Sequence, residues 1–282
     1  MLVHPNVKIN LGLFITGKRP DGFHNIESVF YPIAWKESLE VIENTGKSAE
    51  EYGALSFAEQ GNIRFFAYNN PIPGDAESNL CIKVFELIGE WFNLPKTESH
   101  LLKSLPIGAG LGGGSADAAF TLRALKDFYK LTISDFEAKE LLAKVGSDCP
   151  FFWNNKPAFV FGRGEQMRSI DVDLSQYHFV LVNPNIHVST KEAYAGITPK
   201  NPPIDLTMLE FLDVSEWKKL VKNDFEDSLF PKYPVLSEIK AKLYEMGAEY
   251  ASMTGSGSTL YGIFKSKVDI PQEWSSYQCW SS

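Results

Sequence analysis

The residues with the clearest chemical potential form one glycine-rich run, Pro106-Ile107-Gly108-Ala109-Gly110-Leu111-Gly112-Gly113-Gly114-Ser115-Ala116. Five glycines in seven residues leave backbone N–H groups that an anion can approach without meeting side chains. The Ala- and Leu-rich segment from Ser115 to Lys130 predicts a helix, and the N-terminus of a helix attracts negative charge. The run therefore predicts a cradle for nucleotide phosphates, and the alternative is a plain tight turn before a helix.

Two familiar phosphate loops do not match this run. A Rossmann loop needs an apolar strand that leads into the glycines and an acidic residue about 20 positions later, at the end of the next strand. Here Pro106 interrupts the approach, and Asp127 lies inside the predicted helix. A Walker A loop needs a lysine directly after its last glycine, whereas Gly114 is followed by Ser115. A phosphate cradle in this chain is therefore of another type.

Three further features complete a set of groups suited to phosphoryl transfer. Lys8 and Asn10 are two positions apart in a predicted strand, so their side chains share one face. Asp148 lies between a predicted helix end and an aromatic segment, and a carboxylate beside a lysine suits the activation of a hydroxyl group. Residues 254–259 form a second loop rich in Gly and Ser. The respective alternatives are a solvated strand face, an ordinary turn carboxylate and a plain hairpin connection.

The composition narrows the class of protein. The 282 residues carry a net charge of −8 with scattered Lys and Arg, which argues against nucleic-acid and anionic-membrane partners. Three cysteines without CxxC spacing argue against disulfides and a zinc site, and Cys149 is expected to be a small buried residue rather than a nucleophile. Without a signal-like N-terminus or a run of about 18 apolar residues, the protein is expected in the cytoplasm.

Both helices and strands must position these groups. The hydrophobic pattern predicts strands at residues 3–15, 26–35, 39–43, 63–66, 100–105, 157–161, 179–182, 250–254 and 259–264. It predicts helices at residues 79–92, 115–130, 134–145, 206–212, 215–221 and 235–246. Ser134 and Glu137 form a capping-box pattern, and Gly247 is typical of a helix C-terminus. Because strands and helices mix without strict βαβ alternation, the predicted fold class is α+β.

These motifs, taken in order, resemble those of a known family. Pro106–Ala119 resembles the second signature of the GHMP kinases (galactokinase, homoserine, mevalonate and phosphomevalonate kinases), and Met253–Phe264 resembles their third. The triple glycine that ends at Gly114 is similar to the branch that acts on 4-diphosphocytidyl-2-C-methyl-D-erythritol. Three further segments resemble the same branch, at residues 8–11, 19–24 and 146–152.

The resemblance implies a two-domain fold and an activity. An N-terminal domain like ribosomal protein S5 domain 2, residues 1–165, would bind ATP and catalyse, and a ferredoxin-like C-terminal domain, residues 166–282, would bind substrate. ATP with Mg²⁺ would phosphorylate the 2-hydroxyl of the cytidyl substrate, a step of non-mevalonate isoprenoid synthesis. Asp148 would accept the hydroxyl proton, while Lys8 would keep Asp148 ionised and stabilise charge on the transferred phosphoryl group. No carboxylate pair marks a metal cage, so no metal ligand is predicted.

The resemblance also assigns the residues that hold ATP. The loop at residues 106–116 would wrap the phosphates, and Lys103 and Asn79 lie where the family approaches the adenosine. Two departures concern the signatures. Ala116 replaces a second serine that usually follows the glycines, which removes one hydroxyl contact to phosphate or Mg²⁺, and Ser258 replaces a common proline.

The cytidyl end is assigned in the same way. The residues that would bind it come from four segments and are Asn10, Phe23, His24, Thr190, Tyr194 and Gly255. Phe23 stands where the family commonly has Tyr, which keeps the aromatic face but removes the hydroxyl. The implied partners are two small molecules, and no oligomeric state is predicted. The alternatives are another small-molecule kinase of the superfamily, of the homoserine or mevalonate type, and a non-catalytic nucleotide-binding relative.

Overall fold

In the computed structural model, which describes residues 1–282, strands and helices mix along the chain, as the sequence predicts. The strands are β1 (Leu2–Val3), β2 (Asn6–Lys18), β3 (His24–Lys36), β4 (Ser38–Glu43), β5 (Ser56–Gln60), β6 (Ile63–Asn69), β7 (Thr97–Lys103), β8 (Ala158–Gly162), β9 (Gln166–Ser169), β10 (His178–Asn183), β11 (Tyr250–Met253), β12 (Leu260–Phe264) and β13 (Gln278–Ser281). The α-helices are α1 (Ala49–Tyr52), α2 (Leu80–Gly89), α3 (Gly113–Tyr129), α4 (Asp135–Val145), α5 (Cys149–Asn154), α6 (Thr190–Ala195), α7 (Val214–Leu220), α8 (Phe225–Leu229) and α9 (Pro234–Glu245). Short 3₁₀ helices span Ala76–Ser78, Leu206–Glu210 and Gln272–Trp274.

The first of two compact units, unit 1, comprises Met1–Val7, Trp35–Ile107 and Gly112–Asn155. It contains a five-stranded sheet in the order β1-β4-β7-β6-β5, in which β6 and β7 are parallel. Helix α2 is amphipathic and packs against α3, which also contacts α5. Apolar residues at helical spacing are buried along α2 because that face meets its neighbours.

The second unit, unit 2, comprises Lys8–Ala34, Gly108–Leu111 and Lys156–Ser282. It contains a sheet in the order β11-β12-β10-β13 and, apart from end residues of β2 and β3, a sheet in the order β2-β3-β8-β9. Its core gathers apolar side chains from strands of both sheets and from α9, including Leu13, Val182, Leu243 and Phe264.

Local helix signals are confirmed. Ser134 and Glu137 form the predicted capping box at the start of α4, and Gly247 after α9 has a φ of +97°. Helix α3 begins at Gly113, two residues earlier than predicted, because glycine adopts helical backbone angles there. The prediction omits α5, although Pro150 in its first turn is a known N-terminal signal.

No helix combines the length and the apolar character needed to cross a membrane. The division into units groups residues 8–34 and 108–111 with residues 156–282. The boundary between an N-terminal domain of residues 1–165 and a C-terminal domain of residues 166–282 follows from the family resemblance and stays a prediction.

Candidate active site

Lys8 and Asn10 lie side by side on β2 in unit 2. The Lys8 ammonium donates a hydrogen bond to Asn10 Oδ1 at 2.6 Å, and it lies 4.4 Å from the centre of the Phe30 ring. The predicted shared face is therefore confirmed. The alternative of a solvated strand face is wrong, because Lys8 and Asn10 are only 3% and 1% exposed.

The carboxamide of Asn10 is occupied by protein groups on both of its sides. Its oxygen also accepts hydrogen bonds from the Thr254 hydroxyl at 3.1 Å and from the Gly255 N–H at 2.9 Å. Its nitrogen donates to the hydroxyl of Ser28 at 2.8 Å. The substrate contacts assigned to Asn10 and Gly255 stay predictions, while the structure shows these atoms bonded to each other.

The two glycine-rich loops pack directly on each other within unit 2. A Cβ atom on Gly110, where φ is +79°, would lie 2.1 Å from the carbonyl oxygen of Thr254. A Cβ on Gly255, where φ is +56°, would lie 2.8 Å from the Cα of Gly110. Both positions therefore need glycine for space as well as for backbone conformation.

The segment 108–111 is anchored through its carbonyl groups. Three of them accept hydrogen bonds from elsewhere in unit 2: Ala109 from the Thr259 N–H at 3.3 Å, Gly110 from the Thr254 hydroxyl at 3.2 Å and Leu111 from the Lys8 N–H at 3.0 Å. None of these bonds uses an N–H group of the segment, so its amides can serve another acceptor. That arrangement suits a loop that binds phosphate oxygens.

The start of α3, in unit 1, has the form of an anion site. Gly112 is its N-cap in the left-handed conformation, and no side chain caps the first turn. The first N–H groups of a helix have no partner within the helix, so they need an external acceptor. Ser115 and Ala116 lie in this first turn, and Ile107 before it is exposed.

Beneath the start of α3, Lys103 is clamped between two carboxylates. Its ammonium lies 2.6 Å from Glu37 Oε1 and 2.7 Å from Asp117 Oδ2, and all three side chains are buried. Burial lowers the pKa of Lys103, but the two carboxylates outweigh it and hold that pKa above its ordinary value. The contact of Lys103 with ATP stays a prediction.

The same cluster has two carboxyl groups for one ammonium group. Burial and the charge of Asp117 raise the pKa of Glu37 from its ordinary 4.5 to about 8. Asp117 Oδ1 is buried without a hydrogen-bond partner. A Cβ on Gly113 would lie 3.4 Å from the Lys103 ammonium, which brings the lysine close to the helix backbone. Sequence analysis missed both pairings of Lys103: no local motif marks Glu37, and Asp117 lies within the Pro106–Ala119 segment but was not assigned a role.

Asn79 borders a small cavity of unit 1. Its side-chain oxygen caps α2 by accepting hydrogen bonds from the N–H groups of Cys81 and Ile82 at 2.9 and 3.4 Å. The cavity has a volume of about 150 Å³ and is lined by Ser56, Phe57, Ala58, Phe65, Ile72, Pro73, Gly74, Asp75, Ala76 and Asn79. A lining that mixes apolar side chains with the polar groups of Ser56, Asp75 and Asn79 can contact both the face and the edge of a heterocyclic ring.

Asp148 stands at the start of α5 in unit 1. It occupies the N-cap position, yet its carboxylate makes no capping hydrogen bond to the helix. The next residue, Cys149, is fully buried, and burial raises the pKa of its thiol to about 12. The expectation that Cys149 is a small buried residue is therefore confirmed, and the raised pKa disfavours the thiolate that a reactive cysteine needs.

Aromatic side chains assigned to the cytidyl end meet in unit 2. The rings of His24 and Tyr194 stack with centroids 4.9 Å apart, and Tyr194 lies on α6. Thr190 is the first residue of that helix. Phe23 is 57% exposed, and the guanidinium of Arg163 lies 5.2 Å from the centre of its ring.

Family profiles match most of the chain. The profile described as "GHMP kinases N terminal domain" matches residues 79–163, and that described as "GHMP kinases C terminal" matches residues 208–278. The chain belongs to the GHMP kinases. The matched region of this GHMP kinase includes the glycine-rich run, Asp148 and the second glycine loop.

Two individual proteins similar to this GHMP kinase have the same name. This chain is 43% identical over 275 residues to 4-diphosphocytidyl-2-C-methyl-D-erythritol kinase of Bacteroides thetaiotaomicron, covering 97% of this chain and 96% of that protein. The kinase of that name from Bacteroides fragilis strain ATCC 25285 is 44% identical over 273 residues, covering 96% and 94%. A solved structure of 4-(cytidine 5'-diphospho)-2C-methyl-D-erythritol kinase matches with a TM-score of 0.78 and 25% identity, covering 100% and 98%. The GHMP kinase fold is therefore confirmed.

Proposed function

We propose that this GHMP kinase transfers the γ-phosphoryl group of ATP to the 2-hydroxyl of 4-diphosphocytidyl-2-C-methyl-D-erythritol. The observation that carries the proposal is the near full-length similarity, at 43% identity, to a kinase named for that substrate. The reaction is a step of non-mevalonate isoprenoid precursor synthesis. We expect it in the cytoplasm, where ATP is supplied.

Asp148 and Lys8 have separate chemical roles in this proposal. The substrate oxygen attacks the γ-phosphorus, the bond from that phosphorus to the ADP oxygen breaks, and Asp148 accepts the hydroxyl proton. Lys8 stabilises the negative charge on the transferred phosphoryl group. Its burial supports this role, since an ammonium in a water-poor site acts more strongly on a nearby charge.

In this proposal, the glycine-rich run and the helix that follows it bind ATP. The amides of residues 106–116 and the uncapped start of α3 hold the phosphates. The adenine ring binds near Asn79, beside the cavity that this residue borders and whose lining combines apolar and polar groups. The Lys103 ammonium lies close to the helix backbone at Gly113, in the first turn of α3.

Mg²⁺ accompanies ATP in this proposal. No group of three or more His, Cys, Asp or Glu side chains is arranged to bind a metal ion. This fits an ion held largely by phosphate oxygens and water, as Mg²⁺ commonly is. When bound, it would neutralise phosphate charge.

The cytidyl end is bound by aromatic faces. Phe23 offers an exposed ring, and His24 and Tyr194 already stack in parallel at a spacing typical of aromatic pairs. Asn10, Thr190 and Gly255 are the other residues assigned to the cytidyl end. In the proposed layout, residues 166–282 form the substrate-binding domain and residues 1–165 the ATP-binding domain.

A coupled assay of ADP release tests the proposed substrate. The purified protein is offered ATP with the cytidyl alcohol, homoserine or mevalonate in separate reactions. We expect turnover with the cytidyl alcohol alone. Turnover with homoserine or mevalonate in its place would contradict the substrate, and no turnover with any alcohol would indicate a non-catalytic relative.

A further inference from the structure

Hydrogen bonds from three residues converge on one atom in unit 2, the side-chain oxygen of Asn10. The donors are the Lys8 ammonium at 2.6 Å, the Gly255 N–H at 2.9 Å and the Thr254 hydroxyl at 3.1 Å. Two of these donors belong to the second glycine loop, about 244 residues away in sequence. Because two of the three donors come from this loop, the loop fixes the position of the oxygen that accepts from Lys8.

The rest of Asn10 is held just as firmly. Its side-chain nitrogen donates to the Ser28 hydroxyl, which in turn donates to the Gly12 carbonyl at 2.6 Å. Its backbone N–H donates to the Thr254 hydroxyl at 3.1 Å, and its carbonyl accepts from the Tyr261 hydroxyl at 2.7 Å. The carboxamide therefore has one orientation, with its oxygen toward Lys8.

Thr254 links this network to the first glycine loop. Its hydroxyl oxygen accepts from the Asn10 N–H, and it lies 3.1 Å from Asn10 Oδ1 and 3.2 Å from the Gly110 carbonyl oxygen, the two acceptors for its one proton. The side chain is completely buried, so it acts through its neighbours.

We infer that Thr254 is a positioning residue that fixes the Lys8 ammonium through Asn10 and ties it to the glycine-rich loop through Gly110. This inference rests on the proposed function, in which Lys8 acts on the transferred phosphoryl group. A lysine side chain has four rotatable bonds, and a displacement of about 1 Å at a reacting centre can cost about a hundredfold in rate. The second glycine loop thus holds Lys8 in place through Asn10. The Thr254 hydroxyl and the Gly255 N–H are the two groups of the loop that bind Asn10.

Two substitutions at one position test the inference. Thr254→Val replaces the hydroxyl with a methyl group of similar shape, and Thr254→Ser keeps the hydroxyl as the matched control. We expect the valine variant to lower kcat by about 10- to 100-fold with KM for ATP and alcohol within about twofold, and the serine variant to stay within about threefold. A role confined to stability would lower the melting temperature without this split between kcat and KM.

Crystal structures of the wild type and of Thr254→Val give a readout that does not depend on the substrate. We expect the Lys8 ammonium to leave hydrogen-bond distance of Asn10 Oδ1 in the variant. An unchanged Lys8–Asn10 contact, or a kcat equal to that of the serine variant, would overturn the inference. If the wild type fails to phosphorylate the cytidyl alcohol, the proposed function falls, and the two structures alone decide the role of Thr254.

Ser28→Ala provides a second variant if Thr254→Val does not fold. It removes the acceptor on the opposite side of the Asn10 carboxamide. We expect a several-fold lower kcat with unchanged KM values. A wild-type kcat in a folded Ser28→Ala protein would then overturn the inference.

Discussion

Two lysines of this chain have their charged groups in the buried interior, where apolar side chains are usual. Lys8 and Lys103 are both almost fully buried, and each meets oxygen acceptors at 2.6 Å. Burying an ammonium group costs free energy unless it is paired, so two buried lysines are candidates for functional residues. For Lys8 we propose charge stabilisation during phosphoryl transfer.

Asp148→Asn tests the proposed base. The amide has nearly the same shape but cannot accept the hydroxyl proton, so we expect turnover to be abolished while ATP still binds. Steady-state kinetics and calorimetric titration with ATP measure the two effects. Asp127→Asn, an exposed carboxylate on α3, is the matched control and should leave kcat unchanged. Near-full activity of Asp148→Asn would remove Asp148 from the mechanism.

Tyr194→Ala tests the aromatic stack at the cytidyl end. Loss of one stacking face for a base costs about 1–3 kcal/mol, so we expect KM for the cytidyl alcohol to rise about 5- to 150-fold. KM for ATP should not change. Phe211→Ala, a highly exposed aromatic residue of the same unit, should change neither constant. Equal effects on both substrates would contradict a specific role at the cytidyl end.

At this scale the sequence predicts what is local. The side-chain period of a strand places Lys8 beside Asn10, and the contact is present. It cannot predict that Thr254 and Gly255 bind Asn10, because the partners are far apart in sequence. Glu37 lies 66 positions from Lys103, which explains why the buried pair was missed.

At the scale of elements, the two glycine loops act as one packed structure. Gly110 and Gly255 approach so closely that neither has room for a Cβ atom. The sequence predicts a phosphate loop because glycines leave the backbone N–H groups of the run accessible to an anion. The structure adds a second reason, since glycine also lets two loops meet backbone to backbone.

Gly110→Ala tests this close approach. Gly61→Ala is the matched control, because Gly61 also has a positive φ but nothing within 4 Å of its Cβ position. We expect the control to lower the free energy of unfolding by about 1–2 kcal/mol, from backbone strain alone. Gly110→Ala should lower it by about 1–3 kcal/mol more, because the Thr254 carbonyl must move. Urea denaturation measures both, and equal losses would contradict the packing argument.

The Lys103 cluster beneath α3 predicts a dependence of stability on pH. Glu37 has a pKa of about 8 in the folded protein and an ordinary value of 4.5, so the folded state binds the proton more tightly. The free energy of unfolding should therefore fall as pH rises from about 5 to about 8. Glu37→Gln should remove this part of the slope, measured by urea denaturation across that range. Identical slopes in both proteins would contradict the assignment.

Prediction of whole elements succeeds where local signals suffice. Helix α4 forms with its predicted capping box because the box involves residues three positions apart. The hydrophobic pattern does not predict the short helices α1, α5, α6 and α8 or the short strands β5, β9 and β13. Four to six residues hold too little hydrophobic periodicity, and tertiary packing decides their conformation.

At the scale of the whole molecule, the ordered motifs carry the assignment. Each motif alone has a structural alternative, whereas their order along the chain resembles one family, and the family profiles and relatives agree with it. Unit 2 holds Lys8 and the second glycine loop, and unit 1 holds Asp148 and the start of α3. The central claim is that this chain phosphorylates the 2-hydroxyl of the cytidyl alcohol.

The phosphorus NMR spectrum of the reaction product tests that claim most directly. The 2-hydroxyl is on a carbon that bears a methyl group and no hydrogen, so a phosphate there has no carbinol proton to split its signal. After incubation with ATP and Mg²⁺, we predict one new phosphomonoester signal without such splitting, formed together with an equal amount of ADP. A new signal split by a carbinol proton, or ADP formed without any new phosphomonoester, would contradict the claim.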